Sequence, residues 1–266
     1  MIPNHKKGIR IMTLKYSIIP VYSFYDDFCK HLNSPDIITW TDDNEEYGPP
    51  VYFFWTSPHL YSCQTRSELK DRTKSLKAAF DGAMYIFTGI PSAIALRDLR
   101  FDDVNNPISK EKEPVEYDIQ VSPFCQNYLQ TKIQSYMDPM INPVSGALFL
   151  SRFDNIVLDI LKFTGVNGFS YITLYSYVDF MKHYGWDEER IAHEAGWTKS
   201  QLSDFKNTAN NPTYLGPFSR HGGAAPIPRR PMSLADAKGG LVNAIKALFI
   251  ERANAINILE KVNQLK

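Results

Sequence analysis

The sequence has few cysteines and no excess of charge of either sign. Its three cysteines, Cys29, Cys63 and Cys125, lie far apart, and no CxxC pair occurs among the 266 residues. This spacing fits neither a zinc site nor a redox dithiol, so we expect free thiols in a reducing compartment. The 29 basic residues equal the 29 acidic ones. Net charge therefore gives no reason to expect DNA, RNA or an anionic membrane as a partner.

Long apolar runs are also missing. No stretch reaches the ~18 uninterrupted apolar residues of a transmembrane helix, so we expect no membrane partner. The first 22 residues lack the apolar core and small-residue cleavage site of a signal peptide. The expectation is a cytoplasmic protein that starts at Met1 or at Met12.

Motifs that hold metals, nucleotides or catalytic nucleophiles do not occur. The sequence contains no GxGxxG, GxxxxGK[ST], GxSxG or HExxH pattern and no calcium-binding loop. The acidic stretch TDDNEEYG (41–48) has no metal-ligand spacing and is typical of a solvated turn. We expect no metal and no cofactor, and the sequence leaves open whether the chain is an enzyme.

The first hundred residues alternate between strand patterns and turn signals. Five segments are predicted strands because β-branched and aromatic residues dominate them. They span 14–22, 36–41, 50–56, 83–89 and 93–101. One amphipathic helix is predicted at 66–80, with Ser67 as its N-cap. The charged, proline-containing segment 102–118 favours a domain boundary near residue 112.

Helical periodicity dominates the sequence after that boundary. Apolar residues recur every three to four positions in each of five segments. The predicted helices span 145–165, 169–186, 186–196, 197–210 and 232–266. Gly165 is predicted to end the first helix, and Asp187 and Thr198 are predicted N-caps. These patterns predict an α+β fold, in which a strand-rich region with one helix (1–112) precedes an all-α bundle (113–266).

The last predicted helix is the clearest element. Ser233 fits an N-cap, with Asp236 three residues later as in a capping box. A run of this length would extend about 45 Å if it were helical throughout. Its tail beyond Ala253 is predicted to project or to pair with a partner, which allows a homo-oligomer through this helix.

The segment EERIAHEAGWTKSQLSDF (188–205) resembles the helix-turn-helix of bacterial repressors. Gly196 fits the turn, and small or apolar residues occupy the packed positions around it. These are Ile191, Ala192, Ala195, Trp197, Leu202 and Phe205. Residues 187–207 carry five acidic and three basic side chains, whereas a DNA-reading helix usually carries surplus Lys or Arg. A structural helix corner is therefore favoured over a DNA-binding regulator, and both stay open.

The segment 207–231 contains more than 20 residues without periodicity, which lie between the predicted helix that ends near Asn210 and the one that starts at Ser233. Aperiodic stretches longer than about 12–15 residues are uncommon inside domains and are often functional. Arg220 and His221 together suit anion binding, and Arg229 and Arg230 add charge just before a helix N-terminus, which itself favours anions. We predict these four residues as the ligand site, with RNA or another phosphate-bearing molecule as the ligand. The structural alternative is that Arg220 and His221 pin the loop to helix-end carbonyls.

A bundle of helices with an Arg-, Asn- and His-bearing turn before a Ser-capped final helix resembles the HEPN class of prokaryotic domains. The shared pattern covers residues 145–255 at most. The resemblance implies a toxin, phage-defence or accessory role, often with RNase activity. The class's Arg-x4-6-His motif is not matched, since 206–211 has the spacing without the residues and Arg220 and His221 are adjacent. The run FKNTANNP…SRHG…PMSLADAK is also similar to bacterial proteins filed as methylamine-utilisation accessory proteins.

The favoured hypothesis is a bacterial accessory or defence-related protein that acts by binding RNA or another phosphate-bearing ligand. A toxin-type RNase is one alternative, with His221 as the catalytic acid or base and Arg220 stabilising negative charge. A DNA-binding regulator and a purely structural or oligomerisation protein are the other two.

Overall fold

The computed structural model describes residues 14–20, 34–42, 52–89, 94–101, 121–125, 138–221 and 230–265. Over these ranges the chain is mainly helical and carries one small antiparallel sheet. A helical bundle combined with strands is thus confirmed. The predicted boundary near residue 112 lies outside the described residues and stays a prediction. None of the described helices is both long and apolar enough to cross a bilayer.

Four of the five predicted strands are confirmed and form the sheet. Its strands are β1 (Leu14–Pro20), β2 (Ile38–Asp42), β3 (Tyr52–Thr56) and β4 (Ile94–Phe101). Every neighbouring pair is antiparallel, in the order β2-β3-β1-β4. Trp55 of β3 is 1% exposed and belongs to the hydrophobic core.

The predicted strand at 83–89 is wrong, because these residues continue the first helix. Helix α1 runs over Arg66–Thr88 and ends at Gly89, which has the left-handed φ of 76°. Its N-cap is Thr65, which accepts the N–H of Glu68, and the predicted Ser67 lies inside the helix. The apolar run AMYIF resembles a strand because a helix segment buried on most sides loses its helical period.

The predicted helix at 145–165 is two helices. Helix α2 covers Pro143–Ser151 and helix α3 covers Asn155–Asn167. Between them Asp154 caps α3 by accepting the N–H of Val157, and it also accepts a hydrogen bond from Arg252 at 2.7 Å. The second helix ends at Gly168, so the prediction that Gly165 is the terminal glycine is wrong.

Gly165 instead lies at the crossing of α1 and α3. A Cβ built on Gly165 would stand 1.9 Å from the carbonyl oxygen of Ala78, and one on Gly82 would stand 1.8 Å from that of Leu161. The two helix backbones therefore touch, which only residues without a side chain permit. This contact joins the helix of the N-terminal region to the C-terminal bundle.

The remaining helices follow in chain order and close the bundle. They are α4 (Tyr171–His183), α5 (Glu188–Glu194), α6 (Lys199–Ala209), α7 (Pro212–Leu215), α8 (Leu234–Ala255) and α9 (Ile258–Leu265). The predicted N-caps Asp187, Thr198 and Ser233 are confirmed, each accepting the N–H three residues later.

The predicted continuous final helix is wrong beyond Ala255. The chain turns at Asn257, whose φ of 52° is left-handed, and α9 begins at Ile258. Ile258 and Val262 are buried in the hydrophobic core, so the tail packs on the bundle and does not project. A homo-oligomer through this helix stays a prediction.

Candidate functional site

The described part of the segment predicted to be an aperiodic loop, 207–221, contains short helical elements. Helix α6 runs to Ala209, α7 covers Pro212–Leu215, and a 3₁₀ turn covers Gly216–Phe218. The buried Asn211 side chain accepts the backbone N–H groups of Thr213 and Tyr214. The predicted end of the preceding helix near Asn210 is confirmed, whereas the prediction of no regular structure after it is wrong for 212–218, because elements this short show no period. We call residues 212–221 the exposed turn.

The chain returns to the same place before α8. The backbone N–H of Met232 donates to Thr208 Oγ1 at 3.0 Å, and the hydroxyl of Tyr171 donates to the carbonyl of Met232 at 2.8 Å. Burial raises the pKa of Tyr171, and the neighbouring Tyr214 and Asp236 raise it further. The start of α4, the end of α6, α7 and the start of α8 thus converge beside the exposed turn.

Arg220 is held by three contacts. Its backbone N–H donates to the carbonyl of Ala209 at the end of α6 at 2.8 Å. Its guanidinium lies over the ring of Tyr175, 4.0 Å from the centroid, and donates from Nη2 to Asp179 at 2.9 Å. The side chain stays 32% exposed. The backbone therefore pins the turn to a helix end, as the structural alternative predicts, while the guanidinium faces the surface.

The other three predicted ligand residues have different settings. His221 is exposed, with Nε2 3.4 Å from Nη1 of Arg220. Arg230 is exposed just before α8. Arg229 lies outside the described residues. The structure thus brings Arg220 and His221 together and does not bring Arg230 to them by any described hydrogen bond.

Two aromatic residues on the exposed turn were missed by sequence reasoning. Phe218 is 74% exposed and Tyr214 is 48% exposed. Aromatic side chains are usually counted toward the core, which is why neither residue was singled out. The sequence feature that could have identified them is the run YLGPF (214–218). Gly216 and Pro217 interrupt it, so its aromatic residues cannot belong to the periodic apolar face of a buried helix.

The sequence interval that contains the turn carries charge of one sign, although Asp179 of α4 pairs with Arg220 from outside this interval. No Asp or Glu lies between Asp204 and Asp236, whereas the interval holds four Lys or Arg residues. The start of α8 differs, because Asp236 occupies its first turn and accepts a hydrogen bond from the Ser233 hydroxyl at 2.6 Å. A carboxylate of the protein itself thus lies in the first turn of α8, where it would compete with an external anion, and the anion site at that helix N-terminus stays a prediction.

The helix-turn-helix geometry is confirmed. Helices α5 and α6 flank a turn at Gly196, whose φ is 70°, and the Trp197 N–H donates to the carbonyl of Ala192 at 2.7 Å. Five of the predicted packed residues are buried and Trp197 is partly buried. Thr198 and Gln201 form a capping box at the start of α6.

Two lysines of the 187–207 stretch are paired with its carboxylates. Lys199 donates to Glu189 at 2.8 Å, and Lys206 donates to Glu188 at 2.6 Å. Lys182 also donates to Glu188, and the hydrogen bonds from both lysines lower the pKa of Glu188 to about 2. A DNA phosphate at either lysine would compete with these pairs.

A buried polar cluster joins the region near the sheet to the bundle. Asp36 accepts hydrogen bonds from His59 Nε2 at 2.8 Å and from Arg152 Nε. His59 Nδ1 accepts the backbone N–H of Cys125 at 3.1 Å, so the ring proton is on Nε2. The side chains of Asp36, His59 and Arg152 are 0–1% exposed. No sequence pattern links these three residues, because they lie far apart in the chain.

Burial and the neighbouring charges set the protonation of this cluster. Burial alone raises the pKa of Asp36, but the Arg152 guanidinium and the His59 hydrogen bond outweigh it and hold that pKa below its usual value. Burial lowers the pKa of His59 by more than Asp36 raises it. The cluster therefore holds an ionised Asp36, a charged Arg152 and a neutral His59. All three side chains are buried from solvent, which is the setting of an ion pair that stabilises a fold.

Imidazole, thiol and carboxylate groups are the side chains that could hold a metal ion in the described ranges. No three His, Cys, Asp or Glu side chains there lie close enough together to hold an ion. The acidic stretch 41–48 lies outside the described residues, apart from 41–42.

No protein-family model, no curated protein and no solved structure matches the chain.

Proposed function

We propose that the chain binds RNA or another phosphate-bearing polyanion through the exposed turn, as a bacterial accessory or defence-related protein. The observation that supports this function best is the pairing of Arg220 and His221 at the surface, in an interval without carboxylates. Phosphate neutralisation by Arg and Lys supplies most of the affinity of such binding. The HEPN-like nature of the 145–255 bundle is part of the same proposal.

The ion pair with Asp179 does not prevent Arg220 from binding a phosphate. Asp179 accepts from Nη2 only, and a guanidinium has five N–H donors in a fixed fork. A partly exposed pair of this kind contributes about 0.2–1 kcal/mol, whereas a hydrogen bond to a charged group contributes about 1.5–3 kcal/mol. The stack on Tyr175 also holds the guanidinium in place, which lowers the entropy cost of binding.

Replacing Arg220 with glutamine is expected to weaken binding of a fluorescein-labelled single-stranded RNA about tenfold. The reason is the loss of one charge-assisted contact of about 1.5 kcal/mol. Fluorescence anisotropy across a salt series measures the effect. The slope of log affinity against log salt should also become shallower by about 0.7, the value of one phosphate contact on a single strand.

Arg190 supplies the matched control. Its guanidinium also stacks on an aromatic ring, Trp186 at 4.0 Å, and pairs with a carboxylate, Glu251. Arg190→Gln should leave RNA affinity unchanged. Equal weakening by both substitutions, or none by either, would contradict a site at the exposed turn. RNA that is cut during the assay, and stays intact with His221→Ala, would favour the RNase alternative.

A DNA-binding regulator is the second candidate, favoured by the geometry of α5 and α6. The outer face of α6 exposes polar side chains suited to base edges, among them Ser200, Gln201, Ser203 and Asn207. Glu189→Gln would release Lys199 from its pair, so duplex DNA binding at low salt should strengthen. A gel shift with Glu260→Gln as the control tests this. An unchanged shift, or equal strengthening by the control, removes the candidate.

A further inference from the structure

The exposed turn presents a large aromatic side chain that the fold does not use. Phe218 is 74% exposed, more than any other large hydrophobic residue in the described part of the chain. It lies two residues before Arg220, on the 3₁₀ turn between Gly216 and Ser219. The ring therefore belongs to the same turn as the proposed phosphate contact.

The backbone that carries Phe218 is ordered on both sides. On one side Asn211 caps α7, and on the other the Arg220 N–H is bonded to the end of α6. Ser219 Oγ donates to the carbonyls of Gly216 and His221, at 3.0 and 2.9 Å. A ring on such a support binds a flat partner without first ordering its own backbone.

We propose that Phe218 is a stacking platform for an unpaired base, so that the ligand of this surface is a single-stranded nucleic acid. This inference rests on the proposed function and narrows its ligand. Nucleic-acid bases stack on aromatic rings, and basic side chains beside the ring take the backbone phosphates. Phe218 provides the ring, and Arg220 and His221 provide the polar groups.

Tyr214 is a second exposed aromatic residue on the exposed turn. It is 48% exposed and lies in α7, three residues after the Asn211 cap. A duplex keeps its bases stacked on one another and free polyphosphate has no bases, so neither ligand would use these rings. An apolar protein segment could also pack on these rings. Such a ligand would not explain why the interval between Asp204 and Asp236 contains no carboxylate.

The test compares the affinity of four fluorescent or competing probes: oligo(U), oligo(dT), an RNA duplex and inorganic polyphosphate. Phe218→Leu keeps an apolar side chain but removes the ring. It should weaken binding of the single strands at least about fivefold, the lower limit for one stacked base. Polyphosphate binding should not change, and Phe218→Trp should restore the single-strand affinity. Ile250→Ala, at a residue 65% exposed on α8, is the control and should have no effect.

The outcomes separate this inference from the proposed function. If Phe218→Leu loses affinity for the single strands and the Ile250→Ala control does not, the stacking platform is supported. The ratio of oligo(U) to oligo(dT) affinity then distinguishes RNA from DNA as the ligand. Equal binding of all four probes, unchanged by Phe218→Leu, overturns the inference while polyanion binding stands. Binding of none of the probes overturns the proposed function and the inference together.

Discussion

Replacing Gly165 with alanine is expected to lower the free energy of unfolding by about 3 kcal/mol or more, the upper end of the range for overpacked cores. The added methyl group would stand 1.9 Å from the Ala78 carbonyl oxygen and 2.9 Å from the Gly82 nitrogen. Both are backbone atoms, so no side-chain rotation relieves the overlap and helices α1 and α3 have to separate. Urea and thermal unfolding measure the loss, which should lower Tm by about 6 °C or more.

Gly239 is the matched control for this substitution. It also lies inside a helix, α8, but nothing stands within 4 Å of a Cβ built there. Gly239→Ala should raise stability by about 0.5–1 kcal/mol, because alanine loses less backbone entropy than glycine on folding. Wild-type stability in Gly165→Ala would show that the two helix backbones do not touch. If Gly165→Ala is insoluble while Gly239→Ala stays soluble, the result would agree with a large loss of stability in Gly165→Ala.

Gly165 also shows which part of the fold a single sequence predicts. Local sequence patterns correctly predicted four strands and the N-caps Asp187, Thr198 and Ser233. Both kinds of feature depend mainly on residues that are close in sequence. A glycine near the end of an apolar run has the same local signature whether it ends a helix or contacts a distant one. The Ala78 backbone that decides between these roles is far away in sequence, so the prediction could not include it.

The candidate site was partly predictable for the same reason. Arg220 and His221 are adjacent in sequence, so their proximity needed no fold. Arg220 also stacks on Tyr175 and pairs with Asp179, and these contacts join the exposed turn to α4 across about 40 residues of sequence. Hydrophobic periodicity within either segment does not predict such contacts. Phe218 was missed because its exposure depends on what the rest of the bundle leaves uncovered.

Replacing Asp36 with asparagine is the second change with a large expected effect, a loss of about 3–5 kcal/mol in the free energy of unfolding. The substitution keeps the shape but leaves the Arg152 guanidinium charged and buried beside a neutral amide. Asp179→Asn is the matched control, because Asp179 also pairs with an arginine but is 49% exposed. It should cost about 1 kcal/mol or less.

The double variant Asp36→Asn/Arg152→Met separates loss of the ion pair from loss of shape. If the unpaired charge is the cause, removing Arg152 as well should recover part of the stability, and the two single losses should not add. Two results would show that the cluster contributes little to stability. One is that the losses of the two single variants add in the double variant, and the other is that Asp36→Asn loses no more stability than Asp179→Asn.

The same cluster makes stability depend on pH in a predictable direction. The folded-state pKa of His59 lies below its unfolded value of about 6.5, so the stability from keeping it neutral is complete above that pH. It falls as the pH drops below about 6.5, because the unfolded chain then binds a proton that the folded chain excludes. The lowered pKa of Asp36 adds a second loss below about 3.9. Urea unfolding across this range should show the first loss in the wild type and not in His59→Gln, since glutamine does not titrate. A first loss that persists in His59→Gln would assign it to another group and contradict a neutral, buried His59.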